Sequence, residues 1–474
     1  MAGKVHRKGT TVALAPAGVG PLGRVAQGGR KREGFGNDPY PCLAGILAGA
    51  TVRGAQEQGV IACTKHFIAN EQEIGRNPLQ ATDANKKTIE TLSTNIDDRT
   101  MHELYMWPFA DAIHAGTSSI MCSYNRVNEL YACHNSHLLN GLLKTELGFQ
   151  GFVLSDWSAQ HTGVNSALAG LDMVMPSGLI YWGPNLNQAV RNRSVPESRI
   201  DDMATKILTA WFYSGQDSPD TPVVGVDLPA DFTRPHQVID ARDPADAHNL
   251  RQSAIEGHVL VKNINNALPL RQPDIISVFG YDARPISIYN VGTDGRGTWL
   301  QGLNSFRSSI CGFHSSRFQS CPLMPAIQFN GTVWTGGDSG VATSTYFISP
   351  FEVISEEIRK YGSTTFWNFE TYGSNITVNA QSDVCLVFIN AIAAEGIDRA
   401  NLRDDFSDGI VKNVADRCHN TVVVVHNAGI CLVDQWIDQP NVTAVLFGHL
   451  PGQDSGTVLV DILFGRASLS GKLP

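Results

Sequence analysis

Three short aliphatic runs in the first half of the chain end in residues able to do chemistry. "VIACTKHF" ends at Lys65-His66, "SSIMCSYN" runs into Tyr124, and "GFVLSDW" closes on Asp156-Trp157. A carboxylate directly after a buried strand can be a turn residue, since Asp commonly ends strands. It can also be a nucleophile at a barrel mouth, because reacting groups in parallel α/β barrels sit at C-terminal strand ends. Taken singly, each residue has an ordinary reading: a surface Lys-His pair, a core Tyr124 with a satisfied hydroxyl, a helix-capping or turn Asp156. Their recurrence at the same end of successive strands favours a site.

The elements that would position them alternate. Helical stretches such as "TMHELYMWPFADAIHAG", "NSHLLNGLLKTELG", "TGVNSALAGLDMVM" and "SRIDDMATKILTAWFYSG" separate the aliphatic runs. Strand-helix alternation predicts parallel strands, in an open sheet or a barrel. A Pro-, Gly- and Asp-rich stretch without helical period follows and reads as a linker. Beyond it a second α/β unit is expected, with strands "ISVFGYD", "VCLVFINA", "NTVVVVHNAG" and "VTAVLFGHL". Helices "SPFEVISEEIRKYG" and "GQDSGTVLVDILFG" would cover them. The division is therefore 1–214, a linker at 215–247, and 248–474. Residues 284–345 are Gly- and Ser-rich and read as a long surface excursion.

The 474 residues exceed one ordinary core, and 42% hydrophobic with 17% charged residues suits a globular enzyme. A net charge of -9 without a basic cluster argues against nucleic acid and anionic membrane as partners. No apolar run reaches the length of a membrane span. The start, "MAGKVHRKGTTVALAPAG", does not read as a signal peptide. Four Asn-x-Ser/Thr sequons, at Asn192, Asn330, Asn375 and Asn441, nevertheless point outside the cytosol as glycosylation sites. Nine cysteines include no metal-type pair. Cys122 with Cys133, and Cys311 with Cys321, bracket short segments and suggest local disulfides. The expectation is a secreted protein whose export signal is absent from this chain. No ligand cluster or dinucleotide fingerprint implies a metal or organic cofactor, and a homodimer is compatible with the sequence.

The order "GPLGR…GGR…EGFGNDPY…KHFIANEQE…MCSYN…GFVLSDW…GLDMVMP" resembles glycoside hydrolase family 3, especially its fungal β-glucosidases. The likeness continues through "VLVKNINNALPL", "FINAIAAEG", "DRANL" and "HLPGQDSGTVLVDILFGRASLSGKLP". The resemblance implies a (β/α)8-type barrel followed by an α/β sandwich, with the active site between them. It implies Asp156 as nucleophile and Glu395 of "AAEG" as acid/base. By itself Glu395 would read as a solvated loop residue. A retaining glycosidase needs one ionised carboxylate to attack the anomeric carbon and one protonated carboxyl to release the aglycone. Glu395 must therefore hold its proton longer than Asp156, which Lys65 and Arg30 nearby would keep ionised. Arg30, Lys65, His66 and Arg76 match positions that grip glucosyl hydroxyls, and Tyr124 matches a tyrosine beside the nucleophile. Trp157 would offer its face to a sugar ring, and Ser339 matches a loop serine near the sugar. Arg76 and Trp157 keep structural alternatives, as a salt-bridged and a core residue.

Departures from the family pattern accompany these matches. A "DGPLG"-type segment, whose Asp grips distal hydroxyls, is absent, and Arg32 stands where an aromatic residue is expected. The barrel portion is shorter than the roughly 250 residues typical of the fold, and the chain stops at "SGKLP" without a fibronectin-like domain. It therefore resembles a family member truncated at both ends. The expected function is a retaining β-glucosidase acting on cellobiose, cello-oligosaccharides or aryl β-glucosides. The alternatives are an inactive sugar-binding remnant or a β-xylosidase; a β-N-acetylglucosaminidase fits less well.

Overall fold

A computed structural model describes residues 1–17, 24–30, 33–34, 41–80, 88–178, 180–224, 234–286, 331–336, 344–371, 376–393, 395–396 and 398–473. Ser339, Asn330, Asn375, Arg32, Cys311 and Cys321 lie outside these residues, as does most of the 284–345 stretch. The chain divides into two compact units. The first comprises Met1–Val25, Arg30–Pro229 and Pro235–Arg242; the second comprises Ala26–Gly29, Ala230–Arg234 and Asp243–Pro474. Among the described residues no helix is long and apolar enough to cross a membrane.

In the first unit, strands β1 (Val12–Ala13), β2 (Ile61–Phe67), β3 (Ser119–Cys122) and β4 (Phe152–Ser155) pair in that order, all parallel. A further parallel bridge joins Leu154 to Met173. Parallel strands need both faces covered, and alternation along the strands supplies two apolar faces. Ala62, Ile120, Cys122 and Val153 join one cluster with residues of helices Pro41–Gln56, Trp107–His114 and His137–Glu146. Ile61, Cys63, Met121, Phe152 and Leu154 form another with Ala210 of helix Glu197–Tyr213. Small residues let the helices approach: a Cβ on Gly45 would lie 2.0 Å from Asp111 Oδ2.

The stretch "TGVNSALAGLDMVM" departs from the single helix expected. Only Val164–Ala169 is helical, and Gly170 ends it at φ 111°. A left-handed residue after the last turn suits glycine because it carries no Cβ penalty. Leu171 to Met173 then leave the helix direction and reach the sheet beside β4.

The second unit is a doubly wound sheet. Its strands are β5 (Val259–Asn263), β6 (Ile275–Phe279), β7 (Thr364–Asn368), β8 (Val384–Ala391), β9 (Thr421–Asn427) and β10 (Val442–Phe447). They lie in the order β5-β10-β9-β8-β6-β7, with β5 antiparallel and every other pair parallel. The edge strands β5 and β7 were not among the strands expected from sequence. Both are partly exposed and lack the continuous aliphatic run that marks β8, β9 and β10. Helices Pro350–Lys360 and Ser455–Leu463 contribute to the apolar cluster on one face, Asp405–Ala415 to that on the other.

Candidate active site

Asp156 follows β4 directly. Its amide donates to Cys122 O on the neighbouring strand (3.1 Å), so the sheet ladder extends one residue past the strand and holds the carboxylate at the C-terminal edge. The Trp157 amide donates to Asp156 Oδ1 at 2.7 Å, and the Ala159 amide returns to Asp156 O at 3.0 Å. This tight turn needs Ser158 at φ 63°. Asp156 is buried, whereas Trp157 is 45% exposed, which removes the core alternative for the indole and leaves its surface open to a ligand.

Around it stand Lys65 and His66 from the end of β2, both buried, and Arg30, also buried. Arg30 NH1 lies 2.8 Å from His66 Nε2, and His66 Nε2 lies 3.4 Å from Asp156 Oδ2. Those two contacts cannot both be hydrogen bonds of a neutral imidazole, because arginine only donates and Nε2 must then accept. The His66 pKa is lowered well below its ordinary value, by burial first and then by the charges of Arg30, Lys65 and Arg76. We therefore assign a neutral His66 whose Nε2 accepts from Arg30 and whose proton is on Nδ1. Its approach to Asp156 is not an ion pair.

The sequence placed Lys65 and Arg30 as the cations serving Asp156. The structure shows each of them paired with a different carboxylate: Lys65 Nζ donates to Glu33 Oε1 at 2.9 Å, and Arg30 Nε donates to Glu73 Oε1 at 3.0 Å. Arg76 NH1 donates to Glu73 Oε2 at 2.8 Å, so its salt-bridged alternative holds. Arg30 and Arg76 both lie over the Tyr124 ring, at 5.9 and 4.4 Å from its centroid. Tyr124 is thus a buried platform for cations. Arg30, Lys65 and Arg76 thus pair with Glu33 and Glu73, while the neutral His66 lies beside Asp156. Glu33 and Glu73 were missed from sequence. The one available signal was their place in "REGF" and "NEQE", beside the matched residues.

Glu395 belongs to the second unit and is buried, four residues past the end of β8. In that sheet the parallel order β7-β6-β8-β9-β10 reverses direction between β6 and β8, and crevices open at the C-terminal ends of such a switch point. The loops that leave β6 and β8 are tied together by a buried network. Asp282 Oδ1 accepts from Asn390 Nδ2 at 2.7 Å and from the Val333 amide at 2.9 Å, and His426 Nδ1 contacts Asp282 Oδ2. The Tyr281 hydroxyl accepts from the Asn390 amide at 3.1 Å. Burial raises the Asp282 carboxyl pKa, and burial likewise pushes the Tyr281 phenol well up. Beyond Glu395, the Gly29 amide donates to Asp398 Oδ1 at 3.1 Å and the Arg399 amide donates to Gln27 O at 2.8 Å.

An open cavity of about 430 Å³ lies at the opposite, N-terminal ends of these strands, lined by Asn265, Arg271, Asp274, His419 and Asn420 among others. It is remote from the strand ends that carry Glu395, and some of its polar groups serve the fold. Asn420 Nδ2, for example, donates to Asp383 O at 3.0 Å. Among the described residues no group of three His, Cys, Asp or Glu side chains could hold a metal ion. Of the two sequons described, Asn192 is exposed. Asn441 is half-buried and its amide donates to Ala415 O at 2.8 Å, while Thr443 of the same sequon is buried. The Cys122–Cys133 disulfide is present, and a second, Cys385–Cys418, was not foreseen.

Residues 1–210 match the family model for the glycosyl hydrolase family 3 N-terminal domain, and residues 258–474 match that for its C-terminal domain. The chain is 50% identical over 474 residues to probable beta-glucosidase M of Aspergillus niger, covering 100% of this chain and 57% of that protein. It is 48% identical over 473 residues to beta-glucosidase cel3A of Pyricularia oryzae, covering 98% and 58%. Among solved structures, beta-glucosidase D2-BGL from Chaetomella raphigera superimposes with a TM-score of 0.81 at 35% identity, covering 100% of this chain and 61% of that one. Beta-D-glucoside glucohydrolase from Trichoderma reesei gives 0.78 at 37%, covering 99% and 61%. The chain therefore spans less than two thirds of the length of these relatives. The parallel β1–β4 arc and the doubly wound sheet accord with the fold class expected, a (β/α)8-type barrel followed by an α/β sandwich. The chain belongs to glycosyl hydrolase family 3.

Proposed function

We propose that this chain carries the chemistry of a retaining β-glucosidase, releasing terminal β-D-glucosyl residues by double displacement. The observation that carries the reading is the setting of Asp156. It is a buried carboxylate at the C-terminal end of a parallel strand, among Arg30, Lys65 and His66. In this reading Asp156 attacks the anomeric carbon while Glu395 gives its proton to the leaving oxygen. Glu395 then takes a proton from the water that releases the sugar. Arg30, Lys65, His66 and Arg76 bind hydroxyls, since charged donors fix several hydroxyls in one orientation. Trp157 stacks on a ring, and Ser339 contacts the bound sugar. Relatives named beta-glucosidase at 48–50% identity support the choice of sugar.

The test is turnover of an aryl β-glucoside by the purified chain beside Asp156→Ala. We expect activity in the chain and a loss of at least a thousandfold in the variant. A 2-deoxy-2-fluoro-glucoside should label the peptide containing Asp156. Folded protein with neither turnover nor labelling would refute the reading and leave the sugar-binding remnant; labelling by the corresponding 2-deoxy-2-fluoro-xyloside alone would make it a β-xylosidase. We further propose a secreted glycoprotein acting on cello-oligosaccharides in cellulose breakdown. The disulfides Cys122–Cys133 and Cys385–Cys418 support an oxidising compartment, and the exposed Asn192 supports glycan attachment there.

A further inference from the structure

Arg30 and Arg76 carry like charges yet share one aromatic ring, Tyr124. Two guanidiniums so placed repel each other unless something negative stands between them. Glu73 does so. Its Oε1 accepts from Arg30 Nε at 3.0 Å and its Oε2 from Arg76 NH1 at 2.8 Å, with the Glu73 side chain only 2% exposed. Each oxygen of one carboxylate serves a different arginine, so the length of the carboxylate sets the spacing of the pair. Arg76 reaches Glu73 across a short turn, in which the Arg76 amide donates to Glu73 O at 3.3 Å. Arg30 arrives from 43 residues away. No local backbone constraint can therefore fix the two arginines relative to each other.

We propose that Glu73 is a positioning residue that holds Arg30 and Arg76 as one unit on Tyr124, presenting them together to a sugar's hydroxyls. This deepens the glycosidase reading and rests on it for the role of the two arginines. Glu73 need not touch substrate. Its influence also passes along a chain of contacts, because the Arg30 it holds donates to His66 Nε2 at 2.8 Å, and that nitrogen lies 3.4 Å from Asp156.

His66 makes the proposal testable without turnover. The charged groups facing it are Arg30, Lys65, Arg76 and Asp156. If Glu73 holds Arg30 in place, Glu73→Gln lets the guanidinium leave His66, and the imidazole pKa rises toward its ordinary value. If Arg30 is held by other contacts, removing a negative charge shifts His66 further down or not at all. The measurement is an NMR titration of the full chain with labelled histidine, the His66 signal assigned with His66→Gln. The expected result is an upward shift, with kcat/KM for an aryl glucoside lowered at least tenfold, mainly through KM. Glu73→Asp keeps the charge but is one methylene too short to reach both arginines. It should shift His66 in the same direction, and it decides the question where Glu73→Gln does not fold. A His66 titration that is unmoved or lower in the folded variant overturns the proposal. A wild-type chain that turns over no glucoside would overturn only the glycosidase reading, because the His66 result still decides the role of Glu73.

Discussion

Asp172, in "GLDMVMP", bonds to β4, the strand that leads into Asp156, and offers a quantitative test of what holds that strand. Its carboxylate is fully buried. Oδ1 accepts from Lys144 Nζ at 3.0 Å and Arg199 NH2 at 2.6 Å; Oδ2 accepts from Lys144 Nζ at 2.8 Å and the Val153 amide at 2.8 Å. The perturbation is Asp172→Asn, which keeps the shape, removes the charge and turns one acceptor into a donor facing N–H groups. Removing one partner of a buried pair typically costs about 3–5 kcal/mol, because the remaining charge is left uncompensated. Two features place this case at the low end. Lys144 keeps Gly170 O at 2.6 Å, and Arg199 keeps Ala167 O, Leu171 O and Asp202. Burial also lowers the Lys144 pKa even with Asp172 present, so a proton can leave that ammonium when its counter-ion goes.

The expected loss is therefore about 3 kcal/mol. At roughly 2–4 °C per kcal/mol for a unit of this size, the first unit's transition should fall by about 6–12 °C. Calorimetry and urea titration of the full chain measure the loss. Hydrogen exchange locates it, because protection should fall in Phe152–Ser155 while Thr421–Asn427 in the other unit keeps its own. A loss below about 1 kcal/mol, the scale of a surface pair, would show that the strand is held by apolar packing alone. A loss of protection spread equally over both units would refute the local argument.

Two further predictions concern the second unit. His258 is wholly buried, and burial lowers its pKa to about 4 against an ordinary value of 6.5, with His426 and His449 adding to the shift. The neutral form is the one that folds, so its contribution is complete above pH 6.5 and is lost as pH falls toward 4. By linkage this amounts to about 3 kcal/mol over the whole range. Urea unfolding of the second unit between pH 7 and 4 should weaken accordingly, and His258→Gln should flatten that slope; an equal slope in the variant would refute the assignment. The Cys385–Cys418 disulfide closes a separation of 33 residues. Replacing both cysteines with serine should cost about 3–4 kcal/mol by loop-closure entropy, checked by denaturant titration against the oxidised chain.

The parts of this architecture most legible in sequence were those with local signals. The runs ending in Lys65-His66 and Asp156-Trp157 announce buried strands, since both faces of a parallel strand must be apolar. The same rule exposes β8, β9 and β10. Strands β5 and β7 were silent because edge strands are partly wet, and the short helix at Val164–Ala169 was overextended because Gly170 inside an apolar pattern did not by itself signal a stop. The ion pairs were illegible for a different reason. Glu33, Glu73 and Arg30 are ordinary charged residues until folding brings Arg30 and Glu33 to Lys65, His66, Glu73 and Arg76, and no periodicity encodes that meeting. The Cys385–Cys418 pairing escaped on the same ground, whereas Cys122–Cys133 spans a separation of only 11 residues.

Glu395 shows why a residue can be readable by family likeness and opaque to local reasoning. "AIAAEG" offers no strand end in the sense that "VLSD" does, because β8 has already finished at Ala391. What distinguishes that loop is strand order. The chain goes from β6 outward to β7, then crosses back to β8 on the other side of β6. The two connections therefore leave the sheet in opposite directions, and the space between the ends of β6 and β8 stays open. Residues beyond β6 close the floor of that space: Tyr281 and Asp282 are buried and bonded to Asn390 near the end of β8. Glu395, buried four residues beyond the end of β8, belongs to the segment that follows this strand end. Strand order is a property of pairing between segments over a hundred residues apart, so the location of this crevice belongs to the fold and to no stretch of the sequence.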